Sequence, residues 1–296
     1  MKRKTASALG LLALMAGAAQ AQSQSQSNTS LYGVVDVAVR RSNHQGPTGD
    51  DALNSVISAG ITPSRLGLNI SEDLGDGLRA VGNIEHRFQA DTGVSDPGPF
   101  YQQIWMGLQS QSWGRITLGR QYNVLFDVTG STFASFKTVG PFLNSYKPEI
   151  ALALGARTDN QIKYAASLGG FIFEAQWSPD EGGPFSTSAG KSWGGMVRYE
   201  AGVFATGVGY LERKDDAGRK AQGYVLGGAY QSGPIYLNLA YARNNFDDGL
   251  NTALLLVGTG ADNAVAGSRP GQLPSRTEER NLWTIGGTYL INDSLQ

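Results

Sequence analysis

Bond-making chemistry at neutral pH needs nucleophiles, bases or metal ligands, and this 296-residue chain is poor in all three. It has no cysteine, and its two histidines are His44 and His86. Without cysteine there is no disulfide scaffold and no thiolate site for zinc or an iron–sulfur cluster. Two histidines outside any nucleophile or base motif give no basis for a hydrolytic centre or an all-histidine metal site, and no cofactor is implied. The residues that recur at a meaningful spacing are charged. In 78–87, Arg79, Asn83, Glu85 and Arg87 alternate with Leu78, Ala80 and Ile84; in 65–72, Arg65, Asn69 and Ser71 oppose Leu66, Leu68 and Ile70. A strand sends successive side chains to opposite faces. Each segment therefore has an apolar face and a charged face that must meet water. Fixed charges on a wetted surface create a field that sorts ions.

The elements holding these faces are strands. Lys2, Arg3 and Lys4 precede a small and apolar run, 6–17, and Ala19-Gln20-Ala21 has a small-x-small pattern. This reads as a secretory signal peptide over 1–21. Without it, 21 basic residues face 25 acidic ones, a net charge of −4. No basic field for nucleic acid exists. Residues 22–30 (QSQSQSNTS) form a polar low-complexity lead-in. No later run of 18 apolar residues occurs, so a membrane location requires a closed β-barrel.

Six segments repeat one design: 171–177 (FIFEAQW), 193–199 (WGGMVRY), 204–210 (FATGVGY), 224–230 (YVLGGAY), 235–241 (IYLNLAY) and 283–289 (WTIGGTY). Each carries an aromatic at one or both ends of an apolar face, with small or polar residues on the other. A soluble β-sandwich has no reason to bracket its strands this way, whereas Trp and Tyr favour membrane–water interfaces. Connections alternate between short (73–77, 109–114, 167–170, 200–202, 232–234) and long (about 42–63, 89–99, 122–157, 178–191, 245–277, with 213–219 the shortest). That is the asymmetry of an outer-membrane barrel. Acids such as Asp50, Asp51, Asp91, Asp96, Asp215, Asp216, Asp247 and Asp248 fall in the long class. Residues 31–40 read as one strand, and about twelve strands are counted by Leu290.

In this order and spacing, SLYGVVDVAV (30–39), SRLGLNISEDLGDGLRAVGNIE (64–85), GRITLGRQYNVLFD (114–127), ARTDNQIKYA (156–165) and WTIGGTYL (283–290) resemble the general porins of Gram-negative outer membranes, most closely the β-proteobacterial type. The resemblance covers nearly the whole chain. It implies an all-β transmembrane antiparallel barrel of the 16-stranded kind, assembled as a homotrimer, over residues 22–296, with the third loop, 122–157, folded into the pore. About four C-terminal strands are expected to be missing, since relatives run on to a terminal aromatic and this sequence stops at INDSLQ. The family sets wall arginines against acids at the constriction. By resemblance Arg65 is the wall arginine of the SRxG motif, Arg157 opens the strand after the third loop, Glu85 ends the third strand and Asp127 is the loop acid. Arg120, in the GRQ motif, is expected near the loop base and subunit contact. Arg79 shares the water face. Two departures stand out: Gln102 and Gln103 occupy the region where relatives often carry an arginine, and Lys137 the region where they often carry an acid.

The expected function is passive diffusion of small hydrophilic solutes and ions, leaning to anions, with outer-membrane lipid and lipopolysaccharide as surroundings. Screening over about 8 Å at physiological salt lets constriction arginines outweigh distant loop acids. The alternatives are a solute-selective porin for sugars or organic acids, a barrel enzyme and a surface adhesin.

Overall fold

The computed structural model describes residues 27–45, 49–60, 62–96, 98–133, 154–179, 191–250, 278–289 and 291. Among them the chain forms fourteen strands: β1 (Asn28–Val34), β2 (Val37–Gln45), β3 (Asp51–Ser58), β4 (Arg65–Gly75), β5 (Leu78–Arg87), β6 (Tyr101–Ser110), β7 (Gly114–Tyr122), β8 (Arg157–Leu168), β9 (Phe171–Ser178), β10 (Ser192–Ala201), β11 (Phe204–Lys214), β12 (Lys220–Ser232), β13 (Ile235–Phe246) and β14 (Glu279–Tyr289). A short helix, α1 (Val124–Val128), runs into a π-helical turn, Thr129–Phe133. Twelve strands make one antiparallel sheet in the order β1, then β4 through β14; β2 and β3 pair separately. No helix among the described residues is long and apolar enough to cross a membrane. The leader, 1–21, lies outside the described residues.

The single strand expected over 31–40 is broken, and the connection expected over 42–63 contains β3. Asp36 supplies the reason. Its carboxylate accepts from the backbone N–H of Gly60 at 3.0 Å and of Thr62 at 2.8 Å, while its own N–H donates to Ser64 Oγ at 2.9 Å. Local side-chain bonds of this kind compete with a ladder. Here they draw Gly60, Thr62 and Ser64 to Asp36 just beyond the last β1–β4 pair, Val34 with Arg65, and β2 and β3 continue as their own hairpin.

The alternation read from the sequence survives as two environments. One face of the main-sheet strands other than β5 leaves apolar side chains uncovered: Leu31 is 68% exposed, Met106 69%, Leu226 56% and Ile285 82%. Buried apolar side chains lie on the other side, around α1. Register aligns the bracketing aromatics. Phe171 opposes Tyr199, Phe204 opposes Tyr230, and Ile235 opposes Tyr289; farther along, Trp177 opposes Trp193, Tyr210 opposes Tyr224, and Tyr241 opposes Trp283. Ring centroids are 4.5 Å apart for Phe171–Tyr199, 4.9 Å for Tyr210–Tyr224 and 4.6 Å for Tyr241–Trp283. The first row adjoins the two-residue turns at 169–170, 202–203 and 233–234. Two aromatic rows flanking an uncovered apolar band are the outer wall of a membrane barrel.

Candidate functional site

At the strand ends away from those short turns, one carboxylate stands among three guanidinium groups. Glu85, near the end of β5, is 4% exposed. Its Oε1 accepts from Arg87 Nε at 2.9 Å and lies 4.0 Å from Arg157 Nη2. Its Oε2 accepts from the Tyr32 hydroxyl at 3.1 Å and lies 3.9 Å from Arg65 Nε. Tyr32 itself accepts from Asn83 Nδ2 at 3.0 Å. Arg65 and Arg87 face each other across β4 and β5. Like charges directly opposed destabilise a sheet; Glu85 between them offsets that repulsion.

Tyr122, the last residue of β7, completes the cluster. Its hydroxyl accepts from Arg87 Nη2 at 2.8 Å and from Arg157 Nη2 at 2.9 Å. The Arg157 guanidinium sits 4.4 Å from the centre of the same ring, and Phe126 of α1 stacks on the ring at 4.0 Å, 7° from parallel. A register shift between Gly119 and Gln121 against β8 precedes Tyr122, with Gly119 at φ +124° and Asn160 of β8 at +52°. Irregularities of this kind re-aim the side chains beyond them. Among the described residues, Arg65, Arg87 and Arg157 thus stand around Glu85. Arg157 is fully covered and Arg87 is 3% exposed, while the Arg65 side chain is 25% exposed and meets water.

The segment after Tyr122 is held against the opposite wall by glycines. Asn123 caps α1, its Oδ1 accepting from Phe126 N at 3.0 Å, and its Nδ2 donates to Gly155 O at 2.6 Å, closing the base of the third loop. Val124 N donates to Gln176 Oε1 of β9 at 2.8 Å. Leu125 and Val128 then lie on β11 and β12. A Cβ added at Gly207 would stand 2.7 Å from Val128, one at Gly209 2.9 Å from Val128, and one at Gly223 2.7 Å from Leu125. These alternating glycines make a groove that any larger residue would fill. Leu154, Leu211, Val225, Ala240 and Ala242 complete the apolar contact.

The remaining expected residues lie apart from the arginine cluster. Asp127 pairs with Lys163 of β8, Oδ2 to Nζ 2.6 Å, and Lys163 also lies 3.8 Å from Glu174 Oε2 and donates to Tyr122 O at 3.1 Å. Arg120 forms an ion pair with Asp159 beside the loop base. Arg79 donates to Ser71 Oγ at 3.0 Å, six residues along β5 from Glu85, which is about 20 Å of strand. Lys137 lies outside the described residues. So Arg65, Glu85 and Arg157 come together as a group, and Asp127 reaches the wall through a lysine. Sequence reasoning did not assign Arg87, Tyr122, Phe126 and Lys163 to the site. Arg87 had a signal, the i, i+2 spacing from Glu85 on one strand face. Tyr122 had none, because its direction depends on the register shift. No group of three or more metal-ligating side chains occurs among the described residues.

Comparison with known proteins agrees with this architecture. Residues 6–295 match the family model described as Gram-negative porin. An outer membrane porin protein of Bordetella pertussis is 29% identical, over 97% of this chain and 90% of its own. Outer membrane porin protein 32 of Delftia acidovorans is 30% identical, over 80% of this chain and 69% of its own. Among solved structures, an anion-selective porin from Comamonas acidovorans superposes with a TM-score of 0.61 at 25% identity, over 75% of this chain and 69% of that one.

Proposed function

We propose, for a chain that belongs to the Gram-negative porin family, an outer-membrane diffusion channel that prefers small hydrophilic anions. Membership makes the chain an outer-membrane porin, a non-enzymatic channel. The preference for anions is the finer reading, and one observation carries it: Arg65, Arg87 and Arg157 gather around Glu85. The cluster sits beside the base of the third loop, and Arg65 is its exposed edge.

The mechanism is electrostatic sorting in a narrowed aqueous path. Leu125, Val128 and the wall glycines seat the start of the third loop inside the barrel, where it narrows the lumen at the height of the cluster. A small anion passing Arg65 exchanges part of its hydration for a fixed positive field, and a cation at the same height is repelled. Binding must stay weak for conduction, since an ion held tightly does not leave. An exposed guanidinium in water meets that condition, because interactions there are of order 1 kcal/mol at 4 Å. Asp127 contributes little opposing charge because Lys163 neutralises it. In this reading Arg120 and Arg79 act outside the selectivity site, at the loop base and near the short-turn end.

The assembly is a homotrimer in this reading, set in outer-membrane lipid and lipopolysaccharide by the apolar outer band and its aromatic rows. Single-channel recording in planar bilayers tests the function. Conductance in steps of three with a reversal potential of anion-selective sign under a salt gradient is the expected result. A cation-selective sign would overturn the role given to the arginine cluster and leave the channel in place.

A further inference from the structure

We propose that Arg87, although almost wholly buried, is a selectivity-determining residue of the pore, because it occupies Glu85 and so leaves Arg65 available to passing anions. The inference rests on the anion-preferring reading above and extends it to a residue that does not reach the lumen surface.

The geometry divides the carboxylate unequally. Charge-assisted N–H···O bonds are close to 2.7–2.9 Å. Arg87 Nε meets that distance, at 2.9 Å from Oε1, whereas Arg65 Nε stands at 3.9 Å from Oε2, whose hydrogen bond comes from the neutral Tyr32 hydroxyl at 3.1 Å. The Arg87 guanidinium is fixed at its other end by Tyr122. Gln103 lies opposite Glu85 on β6 and adds no charge. Arg87 is therefore the close partner of Glu85, and Arg65, at the exposed side of the cluster, is a cation at the carboxylate's margin.

Removing Arg87 has two effects of the same sign. One positive charge is lost from the cluster. A nearly buried carboxylate also loses its close partner, and it cannot remain without one at small cost. Two cations stand near it, Arg157 Nη2 at 4.0 Å and Arg65 Nε at 3.9 Å; Arg157 is held by the hydroxyl and ring of Tyr122, so it is Arg65 that closes to hydrogen-bond distance and is drawn away from the lumen. A charge with no path of its own to solvent thus sets how much of Arg65 a permeant ion meets.

The test is the reversal potential of the full chain in planar bilayers under a KCl gradient. Wild type, Arg65→Gln, Arg87→Gln, Arg87→Lys and Glu85→Gln/Arg87→Gln are compared, with folding followed by heat-modifiable gel mobility. Arg87→Gln is expected to lower the anion-to-cation permeability ratio by roughly threefold or more, an effect similar to that of Arg65→Gln, at screened distances of a few ångströms. Arg87→Lys, which keeps a cation on Glu85, is expected near wild type. The double variant removes the carboxylate together with Arg87, leaves Arg65 with no carboxylate to close on, and is expected to return to the wild-type ratio. An Arg87→Gln ratio equal to wild type, while Arg65→Gln lowers it, would overturn the inference with the channel reading intact. A double variant as low as Arg87→Gln would also overturn it, by showing that Arg87 only supports the fold. If Arg87→Gln does not fold, the double variant alone decides, a wild-type ratio supporting the proposal and a low one refuting it. The wild-type sign tests the underlying reading separately, because the shifts are measured relative to wild type.

Discussion

Replacing Tyr122 by phenylalanine removes one oxygen from the centre of the arginine cluster and leaves the ring. That oxygen accepts two hydrogen bonds from charged donors, Arg87 Nη2 at 2.8 Å and Arg157 Nη2 at 2.9 Å. Bonds to charged groups are each worth about 1.5–3 kcal/mol net. Arg87 keeps its bond to Glu85, and Arg157 keeps its place over the ring at 4.4 Å. The expected loss is therefore near the lower end of the sum, about 2–4 kcal/mol. Tyr122→Leu removes the same bonds and in addition the stack on Phe126 at 4.0 Å and the cation–π contact. Those are worth a further ~0.5–1.5 and ~0.5–2 kcal/mol. Urea unfolding from lipid vesicles, followed by tryptophan fluorescence, should rank wild type above Tyr122→Phe and Tyr122→Phe above Tyr122→Leu. The reversal potential of Tyr122→Phe should keep its sign, since no charge is removed. A Tyr122→Phe barrel within ~0.5 kcal/mol of wild type, the range of an ordinary surface change, would refute the assignment of the hydroxyl as the anchor of two buried guanidinium groups.

Asp127→Asn breaks the 2.6 Å pair with Lys163 that fastens α1 to β8; open-channel current noise should rise and the reversal potential should move toward anions, both read in one bilayer recording. Leu125→Ala empties the contact over Gly223 and Leu154 and removes ~2–5 kcal/mol of packing from the loop base, so limited proteolysis in detergent should cut near 124–133 faster than in wild type. Leu226→Lys puts a charge on the uncovered band between Tyr224 and Tyr230; vesicle refolding should show a loss of ~2–4 kcal/mol, with conductance per folded channel unchanged. Raising salt from 0.1 to 1 M shortens the screening length from about 10 to about 3 Å, so anion preference measured at a fixed gradient ratio should weaken as the bath is concentrated.

How far the sequence reads into this molecule depends on which interactions are periodic. The outer wall is periodic, and it was legible. A two-residue repeat fixes the face, so Leu226 and Ile285 were assignable to an apolar face before any coordinate. The aromatic brackets then fall into two rows because β9–β10, β11–β12 and β13–β14 each pair in the register that sets bracket against bracket. The break at Asp36 was not legible, because an aspartate at an alternating polar position looks like any other lumen residue until the backbone N–H groups of Gly60 and Thr62 turn toward it. The cluster divides along the same line. Arg65, Glu85 and Arg157 were reached through motif resemblance, and Arg87 was already placed on the water face of Glu85 by the repeat. Neither route could rank them. Ranking requires distances, since 2.9 Å and 3.9 Å from one carboxylate separate a bonded guanidinium from one left at its margin. Asp127 makes the point from the other direction. As a loop acid near wall arginines it suggested a charge facing the cluster across the pore, and Lys163, an unremarked alternating residue of β8, takes it instead. Under the proposed anion-preferring reading, the sign of the field beside the third loop depends less on the number of arginines than on which carboxylates already have a close partner, and that is a property of register and side-chain reach that composition does not carry.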